Sequence, residues 1–196
     1  MSNDERAAWD ERFRSGDHGS RDPDPFLGQL ENYSELLPSG RRALDVACGA
    51  GRHAIWLAER GWNVTACDIS FEALRRAAAL ASERGLHLAL YCADLDTAPL
   101  LPHKFDLITC FFYLQRKLLP ALKAALSPGG LIVFKTYTTD QLRFSDGPRH
   151  PLHLLQPGEL LDTFRDFRVL YYEETVQDSG VAQLIARKNE SGPLLG

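Results

Sequence analysis

The chain has 196 residues, with 22 Lys and Arg against 26 Asp and Glu, a formal charge of −4 and 44% hydrophobic residues. That length supports one domain with a continuous core, and no apolar run approaches the ~20 residues that span a bilayer. The acidic balance, without a block of Lys and Arg, argues against nucleic acid as the main partner.

Charged residues near the start (Asp4, Glu5, Arg6, Asp10, Glu11, Arg12) do not form a secretory signal. The expectation is a cytoplasmic protein, a monomer or weak homodimer, with no membrane or nucleic-acid partner. Cys48, Cys67, Cys92 and Cys110 are too widely spaced for a Cys-x-x-Cys metal pair and are expected as reduced thiols, with no metal site.

In chain order, a first strand is predicted over 42–47, closed by the glycine turn Cys48-Gly49-Ala50-Gly51. A helix follows, with Ala54, Leu57 and Ala58 on one face. The second strand is expected over 63–67. Ser70 can cap the next helix, whose Phe71, Leu74, Ala78 and Ala81 recur at helical spacing. The run 86–92 is nearly all apolar, the pattern of a strand buried on both faces. A fourth strand over 105–112 and a helix over 117–126 come next. Ser127-Pro128-Gly129-Gly130 ends that helix and turns into a fifth strand, 131–137. Pro157 suits the first position of a helix reaching Phe164. The stretches 168–176 and 181–187 read as a closing β-hairpin.

This alternation predicts a single-domain, doubly wound α/β fold with a seven-stranded sheet, mostly parallel, with an antiparallel C-terminal hairpin strand. Residues 1–36 are expected as an N-terminal helical lid segment, 37–189 as the domain proper and 190–196 as a flexible tail.

A glycine turn between strand and helix presents backbone N–H groups outward, and Gly49 and Gly51 admit a ligand without an intervening Cβ. Tight turns need glycine as well, so the carboxylates carry the argument. Asp45 lies on the first strand, four residues before Gly49. An acid there repels a pyrophosphate but suits a cationic ammonium. Asp68 closes the second strand, where a carboxylate can accept ribose hydroxyls. Asp94 follows the third, placed to accept from an adenine amine. One Asp at a strand end is ordinarily a helix cap. Three at successive strand ends fit an adenosine with a positively charged tail.

Leu44-Asp45-Val46-Ala47-Cys48-Gly49-Ala50-Gly51-Arg52 resembles the first motif of class I S-adenosylmethionine-dependent methyltransferases. Asp68, Ala93-Asp94-Leu95, Phe105-Asp106-Leu107-Ile108 and Leu126-Ser127-Pro128-Gly129-Gly130 fall in that family's order. Within the group the chain is most similar to the tellurite-resistance and thiopurine type. That likeness rests on Leu155-Gln156-Pro157-Gly158-Glu159-Leu160, Tyr171-Tyr172-Glu173-Glu174 and Trp9-Asp10-Glu11-Arg12-Phe13 with Gly16.

The resemblance implies a Rossmann-like domain holding S-adenosyl-L-methionine. Asp45 and Gly49 would line its methionine part, Asp68 its ribose, and Asp94 with Leu95 its adenine, with Cys48, Ala50, Gly51, Arg52, Ile69 and Cys110 as further cofactor-binding positions. Cys110 to Tyr113 would border the methyl group. Arg12 would reach the methionine carboxylate or the acceptor, unless it is an ordinary exposed helix arginine.

Methyl transfer from a sulfonium is an in-line displacement that neutralises charge, so alignment and exclusion of water dominate. Tyr113, with Phe111 and Phe112, is expected to shape an apolar wall, the two phenylalanines having core packing as their plainer role. The loop 138–156 carries Arg143, Arg149, His150 and His153, and Trp9 and Phe13 are placed as a lid. An oxygen or nitrogen acceptor would use His150 or His153 as base, although loop histidines are commonly only solvated.

The expected acceptor is a small molecule: a thiol, a chalcogen oxyanion or a similar soft nucleophile. Two other readings stay open. One is a nicotinamide-dependent oxidoreductase, since Gly49-Ala50-Gly51 with Asp68 partly imitates that fingerprint. The other is a non-catalytic S-adenosylmethionine-binding protein.

Overall fold

The computed structural model describes residues 3–16 and 20–190. Its strands are β1 Arg42–Val46, β2 Asn63–Asp68, β3 Ala89–Cys92, β4 Phe105–Phe111, β5 Leu126–Tyr137, β6 Arg168–Thr175 and β7 Val181–Arg187. They form one seven-stranded sheet in the order β3-β2-β1-β4-β5-β7-β6. The first five run parallel, and β7 is antiparallel to both β5 and β6. The doubly wound sheet expected from the strand–helix alternation is the one observed. Its order reverses between β1 and β4, the place where open α/β sheets receive ligands.

The helices are α1 Asn3–Ser15, α2 Arg52–Glu59, α3 Phe71–Glu83, α4 Leu119–Ala125 and α5 Glu159–Thr163. Successive side chains of the central strands enter two separate cores. Leu44, Ile108 and Ile132 pack with α4 and α5 residues Leu122 and Leu160, while Ala43, Leu107 and Leu131 pack with Ile55, Leu57 and Leu74. Burial on both faces explains why these strands read as continuous apolar runs.

Three sequence expectations need correction. The apolar run 86–92 becomes a strand only at Ala89–Cys92, and Ala89, Tyr91 and Cys92 are exposed. β3 is the sheet edge and has only β2 beside it, so it is not buried on both faces. On α3, Ser70 caps as expected, accepting the Ala73 N–H at 3.1 Å. The buried stripe, however, is Ala73, Leu74, Ala77, Leu80 and Ala81, while Phe71 is 62% exposed and Ala78 faces solvent. Small residues are selected because α3 nearly touches the glycine turn: a Cβ on Gly51 would lie 2.8 Å from that of Ala77. Finally, β5 begins at Leu126, so Ser127 to Gly130 lie inside it, where the register against β4 shifts between Phe105 and Leu107. Gly129, at φ +75°, supplies the left-handed residue of this irregularity.

Before β1, a run of 3-10 turns over Pro25–Leu36 buries Phe26, Leu27 and Leu30. Of the expected tail, Glu190 is described and pairs with Arg187. Residues 191–196 lie outside the described residues. Among the described residues, no helix is long and apolar enough to cross a membrane.

Candidate functional site

Asp45 faces Thr109 directly across the β1–β4 register. The Thr109 hydroxyl donates to Asp45 Oδ1 at 2.7 Å, while Oδ2 is buried without a hydrogen-bond partner. Asp45 is 1% exposed. Burial pushes its carboxyl up to about 7, against the opposing pull of the Thr109 hydroxyl, the nearby Ala54 backbone N–H and the Arg52 charge.

Beyond Val46 the chain turns sharply. Ala47, Gly49 and Gly51 have φ of 52°, 54° and 84°, and the Gly51 N–H closes the turn on Cys48 O at 3.0 Å. A left-handed non-glycine such as Ala47 costs of order 1 kcal/mol or more, and such strain gathers at functional sites. Asp68, at the end of β2, accepts the Gly49 N–H at 2.8 Å and the Ser70 N–H at 2.9 Å. Burial raises its carboxyl pKa despite those donors. The ring of Phe13, from α1, stands 3.3 Å from where a Gly49 Cβ would be. Cys48 and Ile69 are buried beside the turn.

At the next strand exit, Phe112 has φ 57° and its N–H bonds Lys135 O at 2.7 Å. Its ring lies 5.0 Å from that of Tyr137, and the Lys135 ammonium sits 5.6 Å from its centroid. The Tyr113 hydroxyl is buried and unpartnered. Burial, with the neighbouring charges of Asp96, Cys110 and Asp94, pushes that phenol far up. Tyr113 is thus grouped with the acid expected at the adenine end. Asp94 itself accepts the Asp96 N–H at 2.9 Å, and Leu95 is buried. Cys110 is buried and directs its thiol to Tyr113 O at 3.5 Å.

A polar cluster that the sequence reading missed lies next to this exit. Both carboxylate oxygens of Asp24 stand 3.0 Å from Lys135 Nζ, with the two side chains only 8% and 16% exposed. The Asp24 N–H donates to His53 Nε2 at 3.2 Å, and His53 stacks on Phe111 at 4.1 Å. Burial and the Arg52 and Lys135 charges pull the His53 pKa down to about 3. The only sequence signal was a lysine interrupting the apolar strand Leu131-Ile132-Val133-Phe134.

The remaining catalytic candidates turn outward. Arg12 is exposed, with its guanidinium 4.9 Å from the Trp9 ring centroid. His150 and His153 are exposed, and His150 Nδ1 accepts the Leu152 N–H to cap a 3-10 turn. Arg143 pairs with Asp140 at 3.0 Å. Arg149 donates to Phe144 O at 2.9 Å.

The fit of an adenosyl sulfonium can be tested on these atoms. A buried carboxylate oxygen of Asp45 and a buried Tyr113 hydroxyl lack partners at the switch point, and an unpaired buried polar atom costs ~1–3 kcal/mol. One is an acceptor for an ammonium, the other a donor or acceptor for a base edge. The residues present fit the group.

A family profile described as a methyltransferase domain matches residues 43–130. The ubiquinone biosynthesis O-methyltransferase of Idiomarina loihiensis is 36% identical over 116 residues, 56% of this chain and 47% of that protein. A tRNA 5-carboxymethoxyuridine methyltransferase of Escherichia coli is 33% identical over 117 residues, 56% of this chain and 45% of that protein. The chain therefore spans about half the length of these curated relatives. The crystal structure of TehB from Haemophilus influenzae superposes with a TM-score of 0.72 at 18% identity, covering 92% of this chain and 67% of that one.

Proposed function

We propose that this chain is a class I S-adenosylmethionine-dependent methyltransferase that transfers a methyl group from S-adenosyl-L-methionine to a small-molecule acceptor, a reading supported by the methyltransferase-domain match over residues 43–130. The observation that carries the reading is the unpartnered Asp45 Oδ2 beneath the glycine turn, beside Asp68. When bound, the cofactor supplies an electrophilic methyl group on a sulfonium. In this reading Asp45 takes its ammonium, while Cys48 to Arg52 lie along the methionine part. Asp68 with Ile69 takes the ribose, and Asp94 with Leu95 the adenine. Cys110 backs the methyl-donor end. Phe13, Phe112 and Tyr137 keep water from the reacting atoms, which strengthens every electrostatic contact there.

The acceptor we favour is a thiol, a chalcogen oxyanion or another soft nucleophile. The exposed positions of His150 and His153 support it, since such a nucleophile needs orientation more than a base. A hydroxyl on a flat ring is the second reading. It is supported by the Phe112–Tyr137 pair and by the O-methyltransferase among the relatives. The net charge of −4 favours either over nucleic acid. We place the activity in the cytoplasm, in keeping with four free cysteines.

Calorimetry with S-adenosylhomocysteine and with NAD tests the cofactor. Turnover of labelled S-adenosylmethionine against thiols, tellurite, catechols and tRNA tests the acceptor. Binding of NAD alone would replace this reading with an oxidoreductase. Binding without turnover of any acceptor would leave a cofactor-binding protein.

A further inference from the structure

The groups assigned to the cofactor occupy one half of the switch point. Asp45 stands on β1, and the residues given to ribose and adenine follow β2 and β3, so the cofactor extends away from β4 and β5. The register shows what faces the other half. Asp45 pairs with Thr109, Thr109 with Val133, and Phe111 with Lys135. Side chains alternate along a strand, so Asp45, Thr109, Lys135 and Tyr137 rise from the same face of the sheet. Two strand spacings and one two-residue step put the Lys135 Cα roughly 12 Å from that of Asp45.

Lys135 continues a row in which Leu131 and Val133 are core residues. Both carboxylate oxygens of Asp24 hold its ammonium, and an ammonium has a third proton to donate. A buried ion pair is seldom more stable than apolar residues of the same size. This one stands at the carboxyl edge of the sheet, where ligands enter. Beside it the Phe112 ring lies 5.6 Å from Nζ and 5.0 Å from the ring of Tyr137, and both rings are only partly buried. Phe112 is held at φ 57°, and such backbone strain gathers at functional sites. Two acids act on Tyr137: Asp146, which is exposed, and Asp24, already paired, while Arg52 opposes them. Burial keeps the neighbouring His53 uncharged.

We propose that Lys135 and the Phe112–Tyr137 pair form the acceptor subsite, and that the acceptor joins a flat ring to an anionic group such as a carboxylate. The two aromatic side chains take the flat body, and the remaining Lys135 proton is donated to the anion, a charge-assisted bond. Asp24 is a positioning residue that fixes the ammonium at the end of β5. The inference rests on the methyltransferase reading and narrows its acceptor. A ring thiol and a ring hydroxyl both satisfy it, and a bare oxyanion does not.

Ligand-observed NMR titration of the full chain, saturated with S-adenosylhomocysteine, compares benzoate with benzamide, which share a shape and differ in charge. Benzoate should bind about tenfold more tightly or better, the scale of a hydrogen bond to a charged group. Acetate, which lacks the ring, should bind about tenfold more weakly than benzoate. Lys135→Met should bring benzoate and benzamide within about twofold of each other. That variant strands the buried Asp24 carboxylate, so the double variant Asp24→Asn, Lys135→Met is measured beside it and should show the same loss. Tyr137→Leu should weaken both ring probes and keep the preference for charge. Equal binding of benzoate and benzamide to the wild type, binding of neither, or a preference that survives loss of Lys135 overturns the subsite and leaves the methyltransferase reading intact. Failure of the wild-type chain to bind S-adenosylhomocysteine overturns the methyltransferase reading and the acceptor role with it.

Discussion

The Thr109 hydroxyl stands 2.7 Å from Asp45 Oδ1 across a direct β1–β4 register pair, so one carboxylate oxygen is taken up and the other left free. Thr109→Val keeps the shape and removes the donor. Affinity for S-adenosylhomocysteine should fall by about 1–2 kcal/mol, roughly 5- to 30-fold, as Asp45 loses its orientation and part of the support for its charge. Thr109→Ser should restore it. Calorimetry on the three proteins decides the matter, and a Val variant of wild-type affinity would show that β1 alone aims Asp45.

Cofactor affinity should depend on pH through the same carboxyl. Its pKa lies at about 7 in the folded chain, and only the ionised form attracts an ammonium. Below that pH, binding must first expel the Asp45 proton, so affinity should weaken about tenfold per pH unit from 7 down to 5. Above it, this dependence levels off. Asp45→Asn should bind weakly and with a flat profile over the same interval. Titration calorimetry in buffers of different ionisation enthalpy reads the released proton directly.

Asp68→Ala removes the acceptor of two backbone N–H groups as well as the expected ribose contact. Two losses should therefore appear together. Binding of S-adenosylhomocysteine should drop by roughly 1.5–3 kcal/mol, and stability in urea should fall by about 1–3 kcal/mol. A variant that loses stability yet binds normally would confine Asp68 to shaping the turn.

Deleting residues 1–16 removes α1 with Trp9 and Phe13 but spares the Asp24 anchorage. S-adenosylhomocysteine affinity should stay within about tenfold, ~1.4 kcal/mol, because Asp45 and Asp68 remain. Methyl transfer should disappear, since water then reaches the Gly49 face. Full activity in the shortened chain would show that α1 does not enclose the reaction.

The sheet, its order-reversing point and the acids at its strand ends were legible because each follows from local periodicity. Asp45, Gly49 and Asp68 sit at one strand–turn–helix junction, where spacing in the chain is spacing in space. β3 misled because Leu86 and Leu88 are apolar for reasons other than strand burial: they pack beneath α3 before the strand begins. Thr109 and Lys135 went unnoticed as site residues because their partners lie 64 and 111 residues away in sequence. No periodic signal reports a single polar contact across that distance. His150 and His153 drew attention by type, yet their surroundings are solvent and a local cap.

His53 and Asp45 together have a thermodynamic consequence for the whole chain. Between about pH 4 and 6.5 the folded protein keeps the Asp45 proton that the unfolded chain gives up, and lacks the His53 proton that the unfolded chain takes up. Raised Asp45 alone makes folding less favourable as pH rises through that interval. Depressed His53 alone makes it more favourable, lost again as pH falls towards 3. Each slope is ~1.4 kcal/mol per pH unit, and the signs are opposite. The number of protons bound on unfolding therefore changes little on their account, and this pair by itself leaves the melting temperature nearly level there. Asp45→Asn leaves His53 uncompensated. That variant should melt at progressively lower temperature as pH is taken from 6.5 to 4, a mild-acid sensitivity that the intact pair conceals.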